Sequence, residues 1–155
     1  MKIFRDNGNN SLEDVLSVQS HLNVDFPQMY IDLAVKHDAL YLEENIFDFI
    51  NIYGKSDERD LNFLSFKSDH LDGDILSNQE NINDINNYGI DDLVIFGICA
   101  NGDYICFDYR DMEGSRPKIV LVYHDDFVDH EDGSNSMVVN YVAESFDKFL
   151  NILRA

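Results

Sequence analysis

Apolar residues in the first third of the chain recur at helical spacing. Ser11, followed by Asp14 three residues later, is typical of a helix start, and the pattern predicts a helix that ends near Asn23. Phe26 and Pro27 then predict the start of a second helix, because proline is well tolerated at the first helical position. The apolar faces are Leu12, Val15, Leu16, Gln19 and Leu22 in the first helix, and Phe26, Tyr30, Leu33, Ala34 and His37 in the second.

From Ile46 onward the pattern becomes typical of strands. Phe47, Phe49 and Tyr53, and later Leu61 and Phe63, alternate with polar residues as half-buried strands do. The polar residues 54–59 between these two groups predict a connection. Residues 78–87 are rich in Asn and Asp, and they are compatible with either a short helix or a loop.

A hairpin is predicted within residues 93–109, where two β-rich runs flank Asn101 and Gly102. This pair is preferred in two-residue type I′ turns, because both central residues need positive φ. In that register Cys99 and Cys106 are diagonal neighbours on one face, which predicts two reduced thiols. The expected strand pairs are Ala100 with Asp103, Ile98 with Ile105, and Phe96 with Phe107.

The last third of the chain adds a buried strand and a closing helix. Pro117 precedes residues 118–124, a nearly continuous apolar run that predicts a strand covered on both faces. An acidic loop is expected over residues 125–136, followed by an apolar stretch from Met137 and then by the helix. Helices at both ends with strands between them predict an α+β fold, and 155 residues fit a single domain over 1–155. The helix carries the apolar strip Val142, Phe146, Phe149, Leu150 and Leu153.

Charge narrows the classes of partner. Eleven Lys and Arg against 30 Asp and Glu give a formal net charge of −19, which disfavours general binding to nucleic acid or to anionic membranes. The hydrophobic content of 45% separates the chain from acidic disordered tails. The amino-terminal residues show no secretion signal, no apolar run approaches the roughly 18 residues of a membrane span, and the two cysteines fit a reducing compartment. We therefore expect a cytoplasmic protein.

Two clusters of candidate ligands remain after the familiar nucleotide, acyl-transfer and zinc motifs are found absent. Residues 69–74 partly resemble a calcium loop but lack its alternating oxygen ligands, which favours a solvated turn. The second cluster could hold a divalent metal or supply paired carboxylates, but an exposed loop or a protein contact explains it as well. It consists of His124, Asp125, Asp126, Asp129, His130, Glu131 and Asp132.

Negative charge is also segregated along the chain. Residues 68–109 and 119–147 contain no Lys or Arg but nine and seven acidic residues, respectively. Segregated charge accelerates association with an oppositely charged protein by roughly 10 to 1000-fold. Solubility is the simpler explanation, so the pattern favours a binding surface only modestly.

The order of these segments resembles the SUKH superfamily, which includes Smi/Knr-type cell-wall assembly regulators of fungi and many bacterial immunity proteins. The most specific features are the hairpin motif Gly102-Asp-Tyr-x-x-Phe-Asp108 and the closing motif Ala143-x-Ser-Phe-x-x-Phe-Leu150. The resemblance implies a non-enzymatic domain without a cofactor, a metal or a catalytic residue. It also implies structural roles for Asn101, Gly102, Asp103, Tyr104, Phe107, Asp108, Pro117 and Phe146.

As a member of that superfamily in bacteria, the chain would be an immunity protein that binds a cognate toxin, and its acidity points to a basic toxin domain such as a nuclease. Neither nucleic acid nor a membrane is expected as a partner. A regulatory scaffold, or a metal-dependent enzyme using the cluster from His124 to Asp132, is the alternative. The residues expected to contact the toxin are Asp91, Asp92, Asp125, Asp126, Asp129, Glu131 and Asp132.

Overall fold

An antiparallel five-stranded sheet with the order β5-β6-β7-β8-β9 lies at the centre of the computed structural model, which describes residues 1–68, 70–111 and 116–155. The described residues also form two short two-stranded sheets, β1-β2 and β3-β4. This architecture confirms the α+β prediction. The elements are β1 Ile3–Arg5, α1 Leu12–Leu22, α2 Gln28–Lys36, β2 Tyr41–Leu42, β3 Ile46–Ile50, β4 Ser56–Asp60, β5 Asn62–Phe63, α3 Ile75–Asn83, β6 Leu93–Ile98, β7 Tyr104–Asp108, β8 Lys118–Asp129, β9 Asn135–Ala143 and α4 Phe146–Asn151.

The limits of helix α1 agree with the sequence, but its buried face does not. The Ser11 hydroxyl accepts a hydrogen bond from the amide of Asp14, and Asn23 ends the helix in the left-handed conformation. Val15 and Val18 are buried, whereas Leu12 and Leu16, placed on the apolar face, are exposed. The helix packs mainly against α2, so a narrow stripe is enough to cover the contact.

The predicted polar connection over residues 54–59 is wrong, because most of it belongs to strand β4. This strand pairs with β3 from Ile46 opposite Asp60 to Ile50 opposite Ser56. Strands β3 and β4 form a two-stranded ribbon, and the side chains of β4 are exposed or only partly buried. Backbone pairing and side-chain ion pairs hold β4 in place, so its sequence needs no apolar alternation.

The predicted two-residue turn and its register are also wrong. The amide of Gly102 donates to the carbonyl of Cys99, and the Cys99 amide donates to the carbonyl of Asp103, which closes a three-residue loop. Only Gly102 within this loop has a positive φ, of 96°, as in a turn followed by a bulge. The observed pairs include Ile98 with Tyr104, Gly97 with Ile105, and Val94 with Phe107. Cys99 and Cys106 are buried free thiols.

The acidic loop expected over residues 125–136 is instead a β-hairpin. Strand β8 continues to Asp129 and β9 begins at Asn135, so only residues 130–134 form the turn. Pairing with β7 ends at Val122, and beyond that point β8 is paired with β9 alone. We call residues 124–136 the acidic arm. Both faces of the arm are largely exposed, so the sequence has no apolar alternation from which these strands could be predicted.

The central sheet is covered on both faces. On one face Phe107 packs against Phe96 at 4.4 Å between ring centroids and also contacts Tyr30 of α2 and Phe146 of α4. On the other face the Tyr104 hydroxyl donates to the Asn78 side chain of α3 at 3.1 Å. Tyr104 and Phe107 therefore pack on opposite faces of the sheet.

Candidate functional site

The acidic arm extends past the end of β7 and carries five of the seven predicted contact residues. Asp125, Asp129, Glu131 and Asp132 are exposed, and Asp126 is half-buried. No Lys or Arg occurs between Lys118 and Lys148, so the arm has no internal cationic partner from its own strands. The arm therefore presents a concentrated negative surface at one end of the sheet.

The tip of the arm is held in shape by its own turn. The amide of Ser134 donates to Asp132 at 2.9 Å, and the amide of His130 donates to the carbonyl of Ser134 at 2.8 Å. Hydrogen bonds from Ser134 hold the pKa of Asp132 below its ordinary value. The carboxylate thus stays ionised at neutral pH.

Asp91 and Asp92 lie away from the arm. Leu93, which follows them, aligns with Asp108 of β7, and Asp108 aligns with Lys118 of β8. Asp125 is seven residues further along β8, which corresponds to roughly 20 Å. The structure therefore separates the predicted contact residues into the arm and a second position at the opposite end of the sheet, beside α1 and α3.

Asp103 of the hairpin motif fastens the base of the arm. Its carboxylate is 1% exposed, and one oxygen accepts from Arg59 Nε at 2.6 Å and from Asn101 Nδ2 at 3.0 Å. The other oxygen accepts from the amide of His124 at 3.0 Å and contacts its Nδ1 at 2.6 Å. Burial alone would raise the pKa of Asp103, but the hydrogen bonds from His124 and Arg59 outweigh it and lower that pKa.

Arg59 links this carboxylate to strand β4. Its guanidinium also contacts Asp57 at 2.8 Å and lies over the ring of Tyr123, whose hydroxyl donates to Asp57 at 2.8 Å. Burial would lower the pKa of Arg59, whereas hydrogen bonds to Asp103 and Asp57 raise it. Sequence reasoning missed Arg59 because it lies in a segment without strand periodicity.

The remaining motif residues make contacts within the scaffold or lie next to its strands. Asp108 accepts from the amide and guanidinium of Arg110 at the end of β7, and Phe146 is buried in the aromatic core. Pro117 directly precedes β8. These positions shape the scaffold from which the acidic arm extends.

The metal interpretation of the second cluster fits the geometry poorly. Asp103, His124 and Asp125 each offer a ligand atom within 4.8 Å of the others. However, four donors already occupy both oxygens of Asp103, so a metal would have to displace a partly buried guanidinium or a backbone amide. His130 lies at the far end of the arm, with its Nε2 2.8 Å from Ser136 Oγ. The cluster therefore does not converge on one point.

The loop that partly resembles a calcium site also has structural partners. Asp69 lies outside the described residues. Asp74 caps α3 by accepting from the amide of Ser77 at 3.0 Å, and Asp72 contacts Arg5 at 3.4 Å. Both carboxylates thus contribute to local structure.

The family profile described as SMI1 / KNR4 family (SUKH-1) matches residues 9–152. The chain belongs to the SMI1 / KNR4 (SUKH-1) family. The matched residues of this SUKH-1 chain include the β6–β7 hairpin, the acidic arm, and the contacting residues Arg59, Asp103 and His124. Searches of curated proteins and of solved structures found no significant match.

SUKH-1 membership confirms the resemblance inferred from the hairpin and helix motifs. Proteins of this family are generally non-enzymatic immunity or binding proteins, and membership implies a partner protein. None of the described helices is long and apolar enough to cross a membrane.

Proposed function

We propose that this protein is an immunity protein that binds a cognate toxin domain and blocks it sterically and electrostatically. The family supports the class of function. The single observation that carries the placement of the binding surface is the acidic arm, which gathers five carboxylates on a hairpin without Lys or Arg.

The chemistry of the arm favours a basic partner surface. An enzyme that acts on nucleic acid binds phosphates with Lys and Arg, so a nuclease toxin offers such a surface around its substrate site. Carboxylates of the arm would pair with those cations and occlude the site. Charges at the rim of such an interface mainly set the association rate and its salt dependence.

Substituting three exposed arm residues tests this placement: Asp125→Lys, Asp129→Lys and Glu131→Lys in one chain. Each charge pair at about 10 Å contributes about 0.4 kcal/mol in water, and reversing three carboxylates changes the local charge by six units. We expect the association rate constant with the cognate toxic domain to fall at least about tenfold at low ionic strength, with a smaller decrease in high salt.

A matched control changes the same net charge elsewhere. Glu13→Lys, Asp25→Lys and Glu80→Lys lie at exposed positions outside the arm and outside the predicted contact residues. This control should change the association rate much less than the arm variant. Equal effects of the two variants would contradict placement on the arm.

Growth supplies the test of function itself. The toxic domain expressed alone should arrest growth, and co-expression with the wild-type chain should restore it. A folded wild-type chain that gives no protection would refute the immunity function.

A further inference from the structure

The end of β3 and the turn that follows it expose three large apolar side chains within four residues. Ile50 is 61% exposed, Ile52 is 48% exposed and Tyr53 is 56% exposed. A single exposed apolar residue is ordinary, but a contiguous group of this kind is typical of a contact surface. We call Ile50, Ile52 and Tyr53 the apolar tip.

The apolar tip is fastened directly to the acidic arm. The Tyr53 hydroxyl donates to Asp126 at 2.7 Å, and the amide of Ile52 donates to the buried side chain of Asn140 in β9 at 2.9 Å. Phe127, next to Asp126 along the arm, is 51% exposed. The tip and the arm therefore meet where Tyr53 contacts Asp126, so that the apolar tip borders the acidic arm.

The turn itself is ordered by a local network. The Asn51 side-chain oxygen accepts from the amides of Tyr53 and Lys55, both at 3.0 Å. At the base of the ribbon, the amide and carbonyl of Ile46 bond to Arg154, whose guanidinium pairs with Asp48. An apolar group held in place before binding loses less conformational entropy in a complex than a mobile one.

We propose that the apolar tip is the hydrophobic anchor of the toxin interface. This inference rests on the proposed function and names the residues that hold the complex together. Most binding energy in an interface comes from a few aromatic or apolar anchors surrounded by polar contacts. The occupant is a basic protein surface, because the carboxylates beside the tip complement Lys and Arg around an apolar depression.

Lys55 gives this surface a distinctive test, because it is an exposed cation within the same turn. A basic partner would be repelled by it. Lys55→Glu should therefore accelerate association at low ionic strength, by about twofold or more, and the gain should disappear in high salt.

The decisive variants are Tyr53→Ala and Ile52→Ala, measured by surface plasmon resonance with the purified toxic domain. The dissociation rate constant of the Tyr53→Ala complex should rise at least about tenfold, with little change in the association rate and little dependence on salt. Phe4→Ala is the matched control, since Phe4 is 71% exposed and lies in β1, which pairs with β2 in a sheet separate from both the β3–β4 ribbon and the acidic arm. It should leave both rate constants unchanged.

The outcomes separate the two proposals. If the two tip variants dissociate at the wild-type rate while the wild-type chain still protects cells, the apolar tip is not the anchor. That result would leave the immunity function unaffected. A wild-type chain that neither binds nor protects would overturn both. Unchanged thermal midpoints of the variants would confirm that the effect is on binding.

Discussion

Removal of the Asp103 carboxylate should destabilise the protein more than removal of any exposed carboxylate of the arm. Asp103→Ala deletes the group on which Arg59, Asn101 and His124 converge. The guanidinium of Arg59 and the amide of His124 would then lose a partner in a partly buried position. These contacts connect β4, the β6–β7 loop and β8, so the effect should extend to the base of the arm.

The magnitude follows from the burial and from the kind of contact. Breaking a buried ion pair by removing one partner costs about 3–5 kcal/mol, and hydrogen bonds to charged groups contribute about 1.5–3 kcal/mol each. Because these contributions overlap and Arg59 keeps its ion pair with Asp57, we expect the free energy of unfolding to fall by about 3–4 kcal/mol in total. That is a large share of the roughly 5–15 kcal/mol available to a domain.

Urea unfolding followed by circular dichroism measures this loss directly. Asp129→Ala is the control, because this carboxylate is exposed on the arm, and it should change the free energy of unfolding by less than about 0.5 kcal/mol. Asp103→Asn keeps the shape of the side chain and should fall between the two. A loss below about 1 kcal/mol for Asp103→Ala would refute the reasoning.

The remaining predictions concern pH, the thiols and close packing. Because the folded state lowers the pKa of Asp103, the ionised carboxylate stabilises the protein fully above its ordinary pKa near 3.8. This stabilisation is lost as the pH falls through the lower pKa of the folded state. The free energies of unfolding of the wild type and Asp103→Ala should therefore converge in acid. Burial raises the pKa of Cys99 and Cys106, so a thiol reagent should label neither rapidly in native protein and both after unfolding; rapid native labelling would contradict this. A Cβ at position 97 would lie 2.8 Å from Leu61 Cδ1, so Gly97→Ala should lower stability by about 1–3 kcal/mol, and an unchanged urea midpoint would argue against the close approach of Leu61 to β6.

Local signals explain why much of the scaffold is predictable from the sequence. The cap at Ser11 and the left-handed residue Asn23 delimit α1 by contacts within a few residues. The apolar run after Pro117 is buried on both sides of the sheet, as its composition indicates. In each case the physical cause lies within the segment itself.

The errors have long-range causes. The β6–β7 loop is longer than a type I′ turn because Asn101 bonds the amide of Asp103, while the Asp103 carboxylate turns toward Arg59 and His124. Strand β4 and the arm carry polar side chains on exposed faces, so no periodic pattern reveals them. Without strand order, the sequence also places Asp91 with the arm, although the register puts it at the other end of the sheet.

The contact between Tyr53 and Asp126 joins residues 73 positions apart. No spacing in the sequence brings these two segments together, and the sequence pattern predicts that Tyr53 is a strand residue. Only the packing of the β3–β4 ribbon near β9 places the apolar tip beside the acidic arm. The proposed binding surface therefore depends on tertiary contacts that the sequence alone does not reveal.

Titration of the activity of the cognate toxin with the purified wild-type chain tests the central claim most directly. The proposed function predicts that toxin activity falls linearly as the chain is added and reaches zero at one equivalent, with the arm variant requiring a large excess at low concentration. Full toxin activity in the presence of a several-fold excess of folded wild-type chain would contradict it.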